Sequence, residues 1–314
     1  MTPRILTKLA ALPGPLTGRY VAMSTALDGT TVVLTVGLRI DAIVDYRSRT
    51  VPTDDDRLSA STDGALVRFG GALLAVGLHQ RAYDLDERHD APVVVDLAGA
   101  GRATSPCAAV HPVTGALHLL ATDLSNSATH VVIPTGGFTR RVTAIEGASA
   151  LRGLALTVDH VVVLTEGRLG ISDGSIDGHW RWLPAPPGDF TVRHAFDDDN
   201  GSVVVDVVGA RLERWTIAPD VGAVRTEARN PSRRRVQLEH IGNPDGIVFV
   251  SNPQRGYYES VDDADGWLVG IIHSTERTTF VVADAHRSDG PLVAEIALPD
   301  RIRSGVQAIW VPDD

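Results

Sequence analysis

Asp265-Gly-Trp-Leu-Val-Gly270, followed by Val293-Ala-Glu-Ile-Ala-Leu-Pro-Asp-Arg-Ile-Arg-Ser-Gly-Val-Gln-Ala-Ile-Trp-Val-Pro312, is the stretch whose reading decides the fold. Outward from it, the chain is a succession of short apolar runs separated by turn residues. Thr31-Val-Val-Leu-Thr-Val36, Ala72-Leu-Leu-Ala-Val76, Val93-Val-Val-Asp-Leu97 and His160-Val-Val-Val-Leu164 are examples. So are Ser202-Val-Val-Val-Asp206, Gly246-Ile-Val-Phe-Val250 and Thr279-Phe-Val-Val-Ala283. Their β-branched content and their bounding Gly, Asp, Asn and Pro residues favour strands. No window carries an apolar stripe of helical period and length; Leu6–Leu12 allows one or two helical turns at most. An all-β chain of this kind is a sandwich, a barrel or a propeller. At roughly 40–45 residues per four-stranded blade, its length holds about seven blades.

The chain has 314 residues, of which 43% are hydrophobic, so a large core is available and a single domain over 1–314 is expected. A net charge of −10 argues against a nucleic-acid partner, which needs clustered cations. Arg233-Arg234-Arg235 is the one basic cluster and reads as a solvated turn. Cys107 is the only cysteine, which excludes an internal disulfide and a cysteine-rich zinc site. The apolar stretch Leu9–Leu12 ends at Pro13, too short for a signal segment, and no run approaches the ~20 apolar residues of a membrane span. A cytoplasmic protein without membrane attachment is expected.

The closing stretch resembles that of the carotenoid cleavage oxygenases, in which "DDGWLL", "P-V-A-R-V-x-L-P-x-R-V" and "G-F-H-G-x-W-V-P" follow one another. The resemblance runs in order along the chain. Leu16-Thr-Gly-Arg-Tyr-Val21 resembles "L-D-G-R-Y-L" and Tyr46-Arg-Ser-Arg49 resembles "Y-R-N-R". Gly71-Ala-Leu-Leu-Ala75 with Tyr83-Asp-Leu-Asp86 resembles "G-x-L-L-A-L…Y-x-L-D". Val110-His-Pro-Val-Thr-Gly-Ala-Leu117, Leu154-Ala-Leu-Thr157 and Phe190-Thr-Val-Arg-His-Ala-Phe-Asp197 resemble "V-D-P-V-T-G-E-L", "F-A-L-T" and "F-H-x-x-N-A-Y-D". The resemblance implies a seven-bladed β-propeller. In a chain this compact, short loops and little or no helical cap are expected.

Members of that family hold a catalytic iron with four histidines. The motifs place those positions at Cys107, Arg152, Thr191 and Gln307, none of which is histidine. Outer carboxylates that orient the ligands fall at Leu78, Asp263 and, across a broken motif, Glu227. Iron needs several neutral imidazoles converging on one point, each held by a partner. A guanidinium stays charged and repels a cation at the same place. No metal and no cofactor are therefore expected.

Arg152 is the leading candidate. It would anchor an anion or polarise a substrate oxygen, or else bridge to Asp197, Glu227 or Asp263 and plug the channel. His194 is a candidate acid or base, against the reading of a hydrogen-bonded histidine between blades. Strict alternation sets Thr191 and His194 on opposite faces, and only a bulge or strand end brings them together. Asp263 is a second candidate proton carrier. Cys107, Thr191, Gln307 and Glu227 are candidate substrate contacts, although a lone cysteine among Pro106, Ala108 and Ala109 reads more simply as filler. His111-Pro112 imitates a family ligand dipeptide but only after a four-residue deletion. Asp54-Asp-Asp56 and Asp197-Asp-Asp-Asn-Gly201 lack EF-hand spacing and read as solvated turns.

The expected function is a metal-free, non-oxidative isomerase, cyclase or lyase acting on a hydrophobic small molecule, polyene- or polyketide-like. The alternatives are a non-catalytic propeller that binds a small molecule or a protein, and an iron oxygenase with relocated ligands.

Overall fold

The structure is a computed structural model. It describes residues 4–8, 18–38, 43–51, 64–78, 81–86, 88–97, 104–122, 128–136, 141–145, 151–173, 179–209, 212–218, 222–228, 237–241, 248–250, 257–259, 267–273, 277–284 and 294–312. These residues form strands and turns without a helix, so no helix is long and apolar enough to cross a membrane. The chain divides into two compact units, Met1–Thr62 with Glu87–Pro92 and Pro231–Asp314, and Asp63–Asp86 with Val93–Asn230.

In the first unit, β1 (Arg4–Lys8), β2 (Gly18–Ala26), β3 (Thr31–Leu38) and β4 (Ile43–Thr50) join β27 (Ile302–Pro312) in one sheet, ordered β1-β4-β3-β2-β27. The start of the Leu6–Leu12 stretch is thus strand: Arg4 and Ile5 pair with Tyr46 and Asp45. The C-terminal strand pairs along β2, from Gly18↔Pro312 to Ala26↔Ile302, which closes the two ends of the chain on each other. A second sheet contains β21 (Gln237–Ile241), β24 (Trp267–His273), β25 (Thr278–Asp284) and β26 (Ala294–Leu298). The hairpin β22 (Val248–Val250) and β23 (Tyr257–Glu259) lies between β21 and β24 in sequence. Tyr20, Leu34, Val36 and Leu38 of the first sheet pack on Val269, Ile271, Phe280 and Ile296 of the second.

The second unit holds four antiparallel meanders of four strands. They are β5 (Ala65–Phe69) to β8 (Val93–Val95), β9 (Thr104–Val110) to β12 (Arg141–Ala144), β13 (Leu151–Leu156) to β16 (Arg181–Pro184), and β17 (Thr191–Asp197) to β20 (Ala223–Ala228). Tight turns join the strands, as at Gly70-Gly71, where φ of 58° and 83° suits a two-residue hairpin that only glycine adopts cheaply. The Asp198 carboxylate accepts the N–H groups of Asn200 and Ser202 at 2.9 and 2.8 Å, so the Asp-rich run is a β17–β18 turn. Asp54-Asp-Asp56 lies outside the described residues.

Within each unit the sheets stack face on face, and this explains their uninterrupted apolar runs. On β14 (Val161–Thr165), Val161 and Val163 pack towards β9–β12, while Val162 and Leu164 pack towards β17–β20. A strand buried on both faces gains nothing from polar alternation. Burying four such side chains contributes roughly 1.5–3 kcal/mol each before the entropy of ordering them is subtracted. Contact is close between β13 and β17. A Cβ on Gly153 would lie 2.7 Å from the Cβ of Val192, so only glycine fits where the resembling motif has aspartate.

Candidate functional site at the bulged first strands

The first strands of three successive sheets, β9, β13 and β17, run beside one another, and each breaks register against its neighbour. On β9, the five residues from Thr104 to Ala108 oppose three on β10 (Leu117–Thr122), and Cys107 lies inside the break. On β13, Leu151↔Thr165 and Gly153↔Leu164 leave Arg152 as the extra residue. On β17, Val192↔Val207 and His194↔Asp206 leave Arg193 as the extra residue, one place beyond Val192. In the first unit, β27 breaks between Gln307↔Met23 and Ser304↔Thr25. The first strands β5 and β21 pair regularly. Bulges re-aim side chains and concentrate near functional sites. The breaks on β9, β13 and β17, and the one on β27 between Ser304 and Gln307, fall at or within two residues of a position that the resemblance assigns to an iron ligand, whereas a second break on β27, between Ile302 and Ser304, and one on β1 do not.

Each sequence candidate has a definite place. Cys107 is buried with Leu120, Ala128, Leu154, Val161 and Val163, so its thiol belongs to the packing between two sheets. Arg152 pairs with Asp189 (Nη1–Oδ1 3.1 Å), with side-chain exposures of 41% and 83%. Asp189 is none of the three partners expected for it: Asp197 is held by His160 at 2.8 Å, Glu227 is exposed on β20 at the opposite edge of its sheet, and Asp263 lies outside the described residues. Thr191 is exposed at the start of β17. The bulge at Arg193 leaves Thr191 and His194 in backbone register with Val208 and Asp206, two residues apart on β18 (Val203–Val208). Gln307 belongs to the first unit and pairs with Met23.

Arg152 and Asp189 stand at the mouth of a cavity of about 350 Å³ with Glu166, above Leu164, Phe190 and Trp215. Phe190 meets Trp215 edge-on, with ring centroids 5.1 Å apart, and the indole N–H donates to Glu213 Oε2 at 3.0 Å. Asp189 is set by close backbone packing. A Cβ at Gly209 would lie 2.6 Å from the Asp189 carbonyl oxygen, and one at Gly188 would lie 2.4 Å from the Phe190 ring. Asp189 and Glu166 left no signal in the sequence. Glu166 sits in the turn after β14, where the β13–β14 pairing sets it near Arg152, whereas Asp189 sits in the connection to β17 and reaches Arg152 only where two sheets meet.

Four other histidines among the described residues, His111, His118, His130 and His160, have partners. His111 Nδ1 accepts the N–H groups of Val113 and Thr114, both at 3.2 Å, which makes it a turn cap. His118 Nδ1 and His130 Nε2 are 3.0 Å apart in the core, and His130 meets the Trp180 ring edge-on. Burial, with His130 and His111 close by, pushes the His118 imidazole down to about 3, and burial pushes His130 down to about 4. Both are neutral at pH 7, one donating to the other. Burial raises the Asp197 carboxyl, but hydrogen bonds from His160, Thr157 and the Asp159 amide outweigh it and hold the group below its usual range. No group of three or more His, Cys, Asp or Glu suited to a metal occurs among the described residues. A thiol in an apolar cluster, an ion-paired guanidinium and an exposed hydroxyl do not fit an iron that takes imidazole ligands.

An all-β chain of stacked meanders, with its last strand joined to its first sheet, is the architecture of a β-propeller, and solved structures show which kind. The chain shares its fold with the cobalt-substituted apocarotenoid oxygenase of Synechocystis, at a TM-score of 0.73 and 16% identity over 99% of this chain and 96% of that one. It is equally similar to the lignostilbene dioxygenase of Pseudomonas brassicacearum, at a TM-score of 0.72 and 16% identity over 99% and 95% of the two chains. The likeness to carotenoid cleavage oxygenases read from the motifs therefore extends to the fold of the whole chain. No family model matches the sequence, and no curated relative matches it.

Proposed function

We propose that this chain is a metal-free enzyme on a carotenoid-oxygenase fold, carrying out a non-oxidative isomerisation, cyclisation or elimination on an extended hydrophobic small molecule. The observation that carries the reading is the coincidence of register breaks on the bulged first strands β9, β13 and β17 with Cys107, Arg152 and Thr191, together with one break on β27 at Gln307. Bulges are a backbone device common at functional sites, and arginine and threonine as residue types suit charge and hydrogen bonding rather than iron ligation, which supports the reading. The oxygenases that share the fold are named for an apocarotenoid and a lignostilbene, which supports an apolar, elongated substrate here.

In this reading Arg152 anchors or polarises a substrate oxygen. Asp189 satisfies it in the resting state, and because that carboxylate is 83% exposed, an incoming anion displaces it at little cost. His194 and Asp263 move the proton. Thr191 and Gln307 orient the substrate, and the shape of the site contributes by holding a reactive conformer.

The test is turnover of polyene and polyketide candidates by purified protein under anaerobic conditions, with metal content measured on the same sample. Product formed without iron or oxygen, and lost in Arg152→Ala, is the expected result. About one iron per chain, or cleavage that requires oxygen, would overturn the metal-free reading. Tight binding without product would replace the enzyme by a binding protein.

A further inference from the structure

The cavity beside Arg152 lies inside the second unit, between the β13–β16 and β17–β20 sheets, and its two ends differ in chemistry. Its floor is Leu164 of β14, Phe190 and Trp215 of β19 (Leu212–Ala218), all three buried. Half-buried Ala185 lines it as well. The Trp215 indole is tied to Glu213, and the Phe190 ring is wedged against Gly188 and Gly209, so the floor keeps its shape without an occupant. Arg152, Glu166 and Asp189 stand exposed at the mouth.

Size and charge together narrow what fits. At about 350 Å³ the cavity is at the small end of ligand sites, which span roughly 300–1,000 Å³. It holds one ring or a short branched end, not a whole extended chain. The mouth carries one guanidinium and two carboxylates. A dianion such as phosphate meets repulsion from both Glu166 and the displaced Asp189. An ammonium finds only Glu166, because Asp189 is committed to Arg152 at 3.1 Å. A monocarboxylate takes the place of Asp189 like for like, with the same charge and the same planar fit to a guanidinium. That exchange costs little in water, and the apolar end gains by leaving water for the floor.

We propose that this cavity seats the ring or branched end of a monocarboxylic acid, with the carboxylate on Arg152 in place of Asp189 and the apolar end on Leu164, Phe190 and Trp215. The inference rests on the reading that Arg152 anchors a substrate oxygen. It narrows the substrate class to hydrophobic acids that carry a ring or branch close to the carboxyl group, and the remainder of a longer molecule leaves through the mouth.

NMR titration of the full chain tests it, following the assigned Trp215 indole N–H with phenylacetate, phenylacetamide and benzylamine as probes. Phenylacetate shifts the signal with a Kd on the order of 1 mM, which is what a ligand of its size allows. The amide and the amine bind at least about tenfold more weakly. Asp189→Asn tightens phenylacetate severalfold. Arg152→Ala abolishes the shift by removing the anchor, and Ala185→Phe does so by filling the cavity, with the smaller filler Ala185→Leu measured beside it. No shift with phenylacetate, or tighter binding of benzylamine, overturns the proposal. Equal binding of acid and amide overturns it together with the anchoring reading. Binding that needs Arg152 yet survives both filled variants overturns the cavity assignment alone. The titration reads no turnover, so each failure is distinct from failure of the proposed activity, which the anaerobic assay reports.

Discussion

Arg152–Asp189 and Arg214–Asp206 are two pairs of the same chemistry in one unit of the chain, at 3.1 and 2.8 Å, yet their surroundings make them different devices. The first stands at a cavity mouth with side chains 41% and 83% exposed, whereas the second is 13% and 1% exposed. In water each partner of the first pair is well solvated alone, so the pair contributes about 0–1 kcal/mol and exchanges readily. In the interior neither partner tolerates the loss of the other. A replaceable pair suits ligand exchange, and a fixed pair suits a permanent tie between two strands.

The comparison breaks most visibly at Asp206. Asp206→Ala leaves a buried guanidinium without its carboxylate and is expected to cost about 3–5 kcal/mol in urea denaturation. Replacing both partners, Asp206→Leu with Arg214→Met, recovers most of that loss, since a buried pair often gives way to apolar residues without penalty. If the single variant is as stable as the parent, the contrast between the pairs is wrong.

Gly153→Val comes next. It drives a side chain into Val192 across the close contact between β13 and β17, and it is expected to lower stability by about 1–3 kcal/mol. The same change at Gly136, a turn with nothing within 4 Å of an added Cβ but a φ of +72°, separates backbone strain from packing.

Acid offers a third test. His118 and His130 have folded-state values of about 3 and about 4, below the ~6.5 of an unfolded chain. The unfolded state therefore binds more protons below that value. Their contribution is intact above pH ~6.5 and is lost as pH falls towards 4 and then 3. Denaturation midpoints against pH should show this slope, reduced in His118→Leu with His130→Leu. An equal slope in that variant would falsify the assignment.

The smallest effect on stability belongs to the exposed pair. Asp189→Asn and Arg152→Ala are each expected to change stability by less than about 1 kcal/mol. Their consequences should appear in ligand handling instead. Asp189→Asn tightens binding of anionic ligands by freeing the guanidinium, and Arg152→Ala abolishes it, as isothermal titration would record.

Much of the fold was legible residue by residue. Val161-Val-Val-Leu-Thr165 reads as a strand because β-branched residues suit a pleated surface, and its unbroken apolarity signals burial on both sides. The Asp197–Gly201 turn was visible from its composition. Arg4–Lys8 was less so, since its strand character comes from pairing with β4 rather than from its own residues. Within the site, the motifs alone suggested Cys107, Arg152, Thr191 and Gln307 as the positions to inspect. Neither Asp189 nor Asp206 was legible, because each acquires its importance from a partner on another strand.

The sequence by itself determined the local chemistry: a chain of β-forming runs without a helical stripe, a single thiol, and a motif resemblance that singles out Cys107, Arg152, Thr191 and Gln307. Tertiary structure alone decided where the register along these strands shifts. Side chains alternate strictly along a strand, so one extra residue reverses the face of everything beyond it. The bulges at Arg152 and Arg193 arise from pairing with β14 and β18. Sheet packing likewise chose Asp189 as the partner of Arg152 and buried the Asp206–Arg214 pair.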